Sequence, residues 1–412
     1  MRSQEKESVL VTHPGRQHSH QLARALHDTG QLAGYWTGVP TAPPASKGPI
    51  YRWLADRISQ PTLRLPADRV RHFYAEPLTR RIADALCSPA RSVVWQHRAM
   101  EWFDRWCARR LPDTLDAVVC YENAALHTFR AARERGATTI LDAASFHHQR
   151  QDAVYDPVEP DAAHARITAH KDEEIAHADH ILTVSELARE SYVEAGVPAD
   201  TVTAVPMGAD LSDFSPPEPR RVPSDSPLTF LFVGHAGRRK GTDTLLAASR
   251  ALYEEDAAHR VRFAGDAEDD LFADVPPTVA RLGYLGREAL VRAMQEADVL
   301  VLPSRHDSFG RVVVEGMATG LPALVSAHVG AKEVITEGES GWVVSAADAD
   351  ALTDRMRWCV EHPDAVAGMQ DAAVATAQDY TWTAYRDRVV RCLGRVLEPS
   401  LSEHTDEAIP NA

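Results

Sequence analysis

The sequence predicts an α/β protein of two facing, Rossmann-like parallel-sheet domains of comparable size. Three observations predict it. Short apolar runs alternate with helix-period segments through the first half of the chain. A stretch rich in proline and serine, "FSPPEPRRVPSDSP", interrupts them after Val205. The alternation then restarts and runs almost to the last residues. Strands alternating with helices make a parallel sheet with helices on its faces. A chain of 412 residues is also longer than one core usually serves. The expected divisions are 1–206, 207–380 and a final segment 381–412.

Each element follows from its pattern. "SVLVTH" and "AVVCYE" are short apolar runs of strand length. "SHQLARALHDTG" has helical spacing and stops at Gly30, and "NAALHTFRAARERG" is its counterpart after the second strand. "TTILDA" and "HILTVS" read as strands, "KDEEIAHAD" and "ELARESYVEAG" as helices. After the interruption come the strand "LTFLFVG", the helix "GTDTLLAASRALYEE", the strand "VRFAG", the helix "REALVRAMQEAD" and the strand "VLVLPS". "PALVS" and "GWVVS" are further strands, and "TWTAYRDRVVRCLGRVL" is the last helix. In open sheets of this kind ligands bind beyond the carboxyl ends of the strands.

Composition narrows the function. With 44% hydrophobic and 25% charged residues this is an ordinary globular chain. The formal net charge of -15 argues against general nucleic-acid binding, which needs a basic surface. Five scattered cysteines, without a C-x-x-C pair, fit reduced thiols in a cytoplasm and point to no metal site. The N-terminal residues lack the apolar core of a signal peptide. No apolar run approaches the ~20 residues of a membrane span.

Two loops carry candidate chemistry. In "HDSFGRVVVEGMATGLP", Asp307 and Glu315 stand eight positions apart around a Phe-Gly step after a buried strand. A helix start offers unpaired N–H groups and partial positive charge, which suits phosphate. Gly310 lets backbone come close, so amides near Phe309, Arg311 and Val312 can hold a diphosphate. Glu315 can accept hydrogen bonds from ribose hydroxyls, and Asp307 from sugar hydroxyls. Spacing alone equally allows Asp307 to be an N-cap and Glu315 a solvated helix acid. The second loop, "FVGHAGRRKG", puts Gly234, His235, Arg238, Arg239 and Lys240 at the end of another strand. Its cations suit a leaving diphosphate. It lacks the spacing of a P-loop.

Together the two loops resemble glycosyltransferase family 4, the retaining enzymes of the GT-B fold. "GHAGRRKG", "AGDAED", "ADVLVLPS" and "DSFGRVVVEGMATGLP" match, in order, the family's basic loop, its Gly-Asp strand end, its Pro-Ser strand and its acid–seven–acid motif. "VPMGADLSDF" resembles the hinge and "VGAKEVITEGESGWVV" the closing segment. The match runs from about residue 180 to 390. It implies a hexosyltransferase-like enzyme without a cofactor or metal. The C-terminal domain would take a nucleotide-sugar and the N-terminal domain a hydroxyl acceptor, which could be a saccharide, a lipid-linked molecule or a small molecule. The last helix would cross back to the N-terminal domain. Lys240 and Arg239 would draw charge into the leaving group, with Asp307 on the sugar.

Three departures stand out. Asp307 is one methylene shorter than the family's usual glutamate. His235 takes the place of the loop arginine. Asp142, in "TILDAASFHH", occupies the place of a strand-end histidine on the acceptor side and is the remaining catalytic candidate, with His147 and His148 behind it. In the first loop, "HPGRQH", Gly15 matches a glycine that lies against the donor diphosphate and Arg16 could add charge. A plain turn glycine is the alternative for Gly15. These departures also leave room for a non-catalytic GT-B protein that binds a nucleotide-sugar.

One region lies outside the resemblance. From Lys47 to Arg110, thirteen Lys/Arg stand against six Asp/Glu, interleaved with Trp53, Phe73, Tyr74, Trp95, Trp102 and Trp106. Such a segment either packs as helices with arginine on the wet face or lies on an anionic membrane. The expected location is cytoplasmic, with peripheral contact at the inner membrane face left open.

Overall fold

In this computed structural model, residues 8–15, 17–38, 65–73, 75–154, 161–218 and 226–398 are described. Arg16, Trp53, Tyr74 and the middle of the proline-rich stretch lie outside them. Among the described residues there are two parallel sheets. The first has seven strands: β1 (Val9–His13), β2 (Leu32–Thr37), β3 (Val70–His72), β4 (Ala117–Tyr121), β5 (Thr138–Ala143), β6 (His180–Thr183) and β7 (Val202–Ala204). Their spatial order is β3-β2-β1-β4-β5-β6-β7. The second has six: β8 (Leu228–Val233), β9 (His259–Ala264), β10 (Val279–Gly283), β11 (Val299–Leu302), β12 (Ala323–Ser326) and β13 (Gly341–Val344), ordered β10-β9-β8-β11-β12-β13.

The orders repeat one design. Each sheet grows outward in one direction from its first strand and then restarts on that strand's other side. The reversal falls between β1 and β4 in the first sheet and between β8 and β11 in the second, both parallel pairs. Loops leaving the carboxyl ends of neighbouring strands diverge there, which opens a crevice at that point. Strands buried on both faces need apolar residues on both faces, so β11 is a continuous apolar run and β1 opens with one before Thr12 and His13; every residue in both strands is buried. Phe230, Phe232, Phe263 and Trp342 fill the core around the second sheet. Tyr35, Phe103, Phe129 and Ile140 are the large buried side chains around the first.

By contacts the chain forms two compact units. One comprises 1–143, 157–182 and 386–412; the other comprises 144–156 and 183–385. The last helix, Trp382–Leu397, therefore begins in the second unit and continues in the first. There Val389, Cys392 and Leu393 are buried, and Arg386 Nη1 donates to Gln21 Oε1 at 2.8 Å.

Strands β2, β3, β7 and β10 are additions to the sequence reading, whereas the helices Ala75–Leu86 and Pro89–Ala108 fall in the basic, aromatic segment that it allowed to pack as helices. Among the described residues no helix is long and apolar enough to cross a membrane.

Candidate functional site

In the second unit the loops after β8 and β11 flank the reversal point. The chain leaves β8 through Gly234, makes a 3-10 turn over Arg238–Lys240, and enters the helix Thr242–Glu254 at Gly241. Gly241 has φ 71°, and a Cβ there would lie 2.0 Å from the Pro303 carbonyl oxygen. Only glycine accepts both that conformation and that approach. The contact ties this loop to the start of the next one. Arg305 N–H donates to the Arg239 carbonyl at 3.0 Å, and Arg239 Nη1 donates to the His306 carbonyl at 3.0 Å.

The loop after β11 carries the first acid. Asp307 accepts from Lys240 Nζ in a partly buried ion pair. The helix Arg311–Ala318 starts at Gly310, whose φ of 87° is left-handed. Its N-cap position is glycine, so Asp307 is not the cap that spacing alone allowed; its carboxylate meets Lys240 instead. The turn is pinned from behind by the Val329–Ala331 segment. Gly330 N–H donates to the Asp307 carbonyl at 2.9 Å and Ala331 N–H to the Phe309 carbonyl at 2.6 Å. His306 is buried, with Phe146 against its ring at 4.6 Å between centroids. Burial, with Arg239 close by, lowers its pKa to about 4, so the ring is neutral at pH 7.

Glu315 lies one turn into that helix and is half-buried. Burial raises its pKa, while Arg311 and Arg287 pull the other way. It is therefore not a freely solvated helix acid. At the carboxyl ends of β8, β9 and β10 there is a pocket of about 260 Å³ lined by Gly234, His235, Gly265, Asp266, Tyr284, Leu285 and Leu290. Its apolar wall and backbone edges suit a flat heterocycle.

In the first unit, residues at the ends of β1, β4 and β5 form a second cluster. Gly15 N–H donates to His13 Nδ1 at 2.8 Å, which puts the ring proton on Nε2. Burial lowers the His13 pKa to about 3, against the opposing pull of Asp142. His13 Nε2 has no hydrogen-bond partner among the described residues. The His13 ring lies 3.9 Å from that of Tyr121, whose hydroxyl accepts from Gln17 Nε2 at 2.9 Å. His18 Nε2 donates to Asp142 Oδ1 at 2.8 Å, both residues being buried.

Lys240, Arg239, Asp307, Gly310 and Arg311 thus lie on the two interlocked loops of the second unit, with Glu315 in the helix that follows. Arg238 points elsewhere, to Asp270 Oδ2 at 3.0 Å on the surface. His235 stands 3.8 Å from Glu268 Oε1. The Phe309 side chain is only 2% exposed and belongs to the core, and Val312 packs against that core, so both offer a ligand their backbone alone. Gly15 and Asp142 belong to the first unit. His147 caps the short helix His148–Asp152, accepting from Gln149 N–H at 3.3 Å. Sequence reasoning missed His13, His18, Tyr121, Tyr284 and Leu285. His13 and His18 open and close the quoted first loop, "HPGRQH"; the others carried no signal.

The group 1 glycosyl transferase family model matches residues 217–376. The chain is similar to D-inositol 3-phosphate glycosyltransferase of Streptomyces scabiei, 28% identical over 348 residues, which is 78% of this chain and 76% of that protein. Among solved structures it is similar to sucrose-phosphate synthase from Thermosynechococcus elongatus, with TM-score 0.65 and 18% identity over 95% of this chain and 99% of that one. It is also similar to Anabaena HepE in complex with UDP-glucose, with TM-score 0.61 and 16% identity over 94% and 99% of the two chains. The two parallel sheets and these likenesses make the fold GT-B.

Proposed function

We propose that this chain, which matches the group 1 glycosyl transferase model over residues 217–376, is a glycosyltransferase that moves a sugar from a nucleotide-diphosphate donor to a hydroxyl acceptor with retention of configuration. The observation that carries this reading is the convergence of Lys240, Arg239 and Asp307 on two interlocked loops at the reversal point of the second sheet. A diphosphate placed there meets Lys240 and the first-turn amides after Gly310. The base lies in the pocket beside Tyr284 and Leu285, and Glu315 accepts from the ribose. HepE, of the same fold, was solved with UDP-glucose, which supports a nucleotide-sugar donor.

Donor binding exchanges one ion pair for two interactions. Lys240 turns from Asp307 to the diphosphate, and Asp307 is released to the sugar hydroxyls. As the anomeric bond breaks, charge develops on the leaving diphosphate, where Lys240, Arg239 and the helix amides stabilise it. The acceptor hydroxyl attacks from the same face, and a leaving diphosphate oxygen takes its proton. No enzymic nucleophile is needed. Positive side chains and amides meet the diphosphate charge, so the reaction runs without a metal.

The acceptor belongs to the first unit in this reading. Asp142 acts there through His18, whose imidazole it holds. No disulfide joins any of the five cysteines, which fits a cytoplasmic setting.

The test is a thermal-shift panel of nucleoside diphosphates, since a ligand of the folded state raises its stability by mass action. Turnover of the matching sugar nucleotides follows, with the anomeric configuration of the product read by NMR. No shift with any nucleoside diphosphate, or an inverted product, sinks the reading.

A further inference from the structure

The helix Pro89–Ala108 carries an exposed stripe. Arg91, Trp95, Arg98, Trp102, Arg105 and Arg109, the last being the C-cap, follow one another in steps of four and three residues. That spacing lays them along one face over roughly 27 Å. No acid stands in the stripe. Among the described residues no carboxylate pairs with Arg91, Arg98 or Arg109, although the chain as a whole carries -15. Arg105 is shared with Glu101 at 3.7 Å and His127 at 3.1 Å.

The tryptophans lie among these cations. Trp95 and Trp102 are 37% and 41% exposed, 6.3 Å apart between ring centroids, and the Arg98 guanidinium lies 5.2 Å from the Trp95 ring. The helix Ala75–Leu86 packs alongside and adds Ile82 at 50% and Leu86 at 80% exposure. Four of the seven exposed large apolar side chains among the described residues therefore sit on these two helices, a concentration rather than the usual scatter. Other side chains of the helix account for its core packing. Phe103 and Cys107 are buried, and Trp106 turns inward against Trp36 at 5.5 Å and Phe73 at 5.5 Å. Of the tryptophans in this segment, Trp106 is structural, while Trp95 and Trp102 have no core to serve.

We propose that this face docks the protein on an anionic lipid bilayer. Tryptophan rings settle at headgroup depth and arginines extend apolar stems with charged ends, so a stripe alternating the two matches the boundary between acyl chains and phosphates. A soluble polyanion would meet the arginines but provide no apolar phase for Ile82 and Leu86. The bilayer provides both.

The full-length chain is sedimented with vesicles of phosphatidylcholine alone and of phosphatidylcholine with phosphatidylglycerol. Binding is expected on the anionic vesicles at low salt, weaker as salt is added, and absent on the neutral ones. Arg91→Gln, Arg98→Gln and Arg109→Gln together should weaken it about a hundredfold. Trp95→Ala with Trp102→Ala should remove the binding that survives salt, whereas Trp106→Ala should disturb folding instead. Nucleoside diphosphate thermal shifts should be unchanged in the arginine and the Trp95/Trp102 variants, which shows them folded and keeps this result separate from the donor reading. If the protein stays in the supernatant with anionic vesicles at low salt, or binds equally after both sets of substitutions, the proposal is overturned and the face belongs to another kind of partner.

Discussion

Lys240 and Asp307 pair across the loops that follow two adjacent parallel strands, so without substrate each neutralises the other. Removing either side should therefore have opposite effects on a bare nucleoside diphosphate. Lys240→Ala should weaken it tenfold or more, because a charge-assisted hydrogen bond is worth roughly 1.5–3 kcal/mol. Asp307→Ala frees Lys240 and removes a negative charge, so it should bind the diphosphate as well as or better than the parent. It should lose the extra affinity contributed by the sugar. Calorimetry with the diphosphate and its sugar conjugate decides it; a weaker diphosphate in Asp307→Ala would show that the two side chains do not compete as described.

Glu315→Gln keeps the shape of the side chain and loses its charge. Donor affinity should fall about tenfold, with the melting temperature little changed. Burial raises the pKa of this carboxyl, so on acidification it protonates earlier than an ordinary glutamate. Donor affinity of the parent should therefore decline as pH falls towards that raised value, and Glu315→Gln should lack this component. Equal affinity at neutral pH would take Glu315 out of the ribose site.

Turnover, followed as release of the nucleoside diphosphate, should be unaffected by excess chelator. In the proposed reading Lys240 and Arg239 carry the charge that a divalent cation would otherwise meet. Activity lost to chelator and restored by Mg²⁺ or Mn²⁺ would refute that division of labour.

Stability should fall with acid earlier than carboxylates alone require. His13 and His306 titrate near 6.5 when unfolded but at about 3 and about 4 in the native state. Between those values the unfolded chain binds more protons, so stability is full above about 6.5 and is lost as pH falls towards the native values. By pH 5.5 each histidine should cost roughly 1 kcal/mol. The difference in melting temperature between pH 7 and 5.5 should shrink in His306→Gln; the same difference in variant and parent would remove His306 from the acid response.

Legibility followed range in the sequence. The run "VLVLPS" and its two acids were readable because strand, turn and helix start are consecutive and each has its own pattern. Strand Leu32–Thr37 was not, since "LAGYWT" holds a central glycine and follows directly on a helix end, where it looks like a loop. The His18–Asp142 pair joins positions 124 residues apart, and no spacing rule reaches across three intervening strands and their crossovers. Tyr284 and Leu285 became candidates only through sheet order, because β10 lies at the edge next to β9 and not beside its neighbour in the chain, β11. Trp102 and Trp106 looked alike as residues in a basic, aromatic helix. Positions four apart share a side of the helix, so its period does not separate them; Trp106 meets Trp36 and Phe73 from other elements, while Trp102 stays 41% exposed.

The division of the chain also constrains the order in which the protein can be made. The first unit needs residues from Arg386 onward, yet its earlier part ends at Leu182, and the second unit takes in Phe146 and its neighbours long before its own first strand. Between Leu182 and Arg386 lie about 200 residues, which a ribosome takes roughly 10–40 s to add. Throughout that interval the side chains that will meet Val389, Cys392 and Leu393 have no permanent cover. The emerging amino-terminal half thus exposes apolar surface until synthesis has passed the second unit. A fragment stopped before Arg386 should accumulate in aggregates rather than as a folded half.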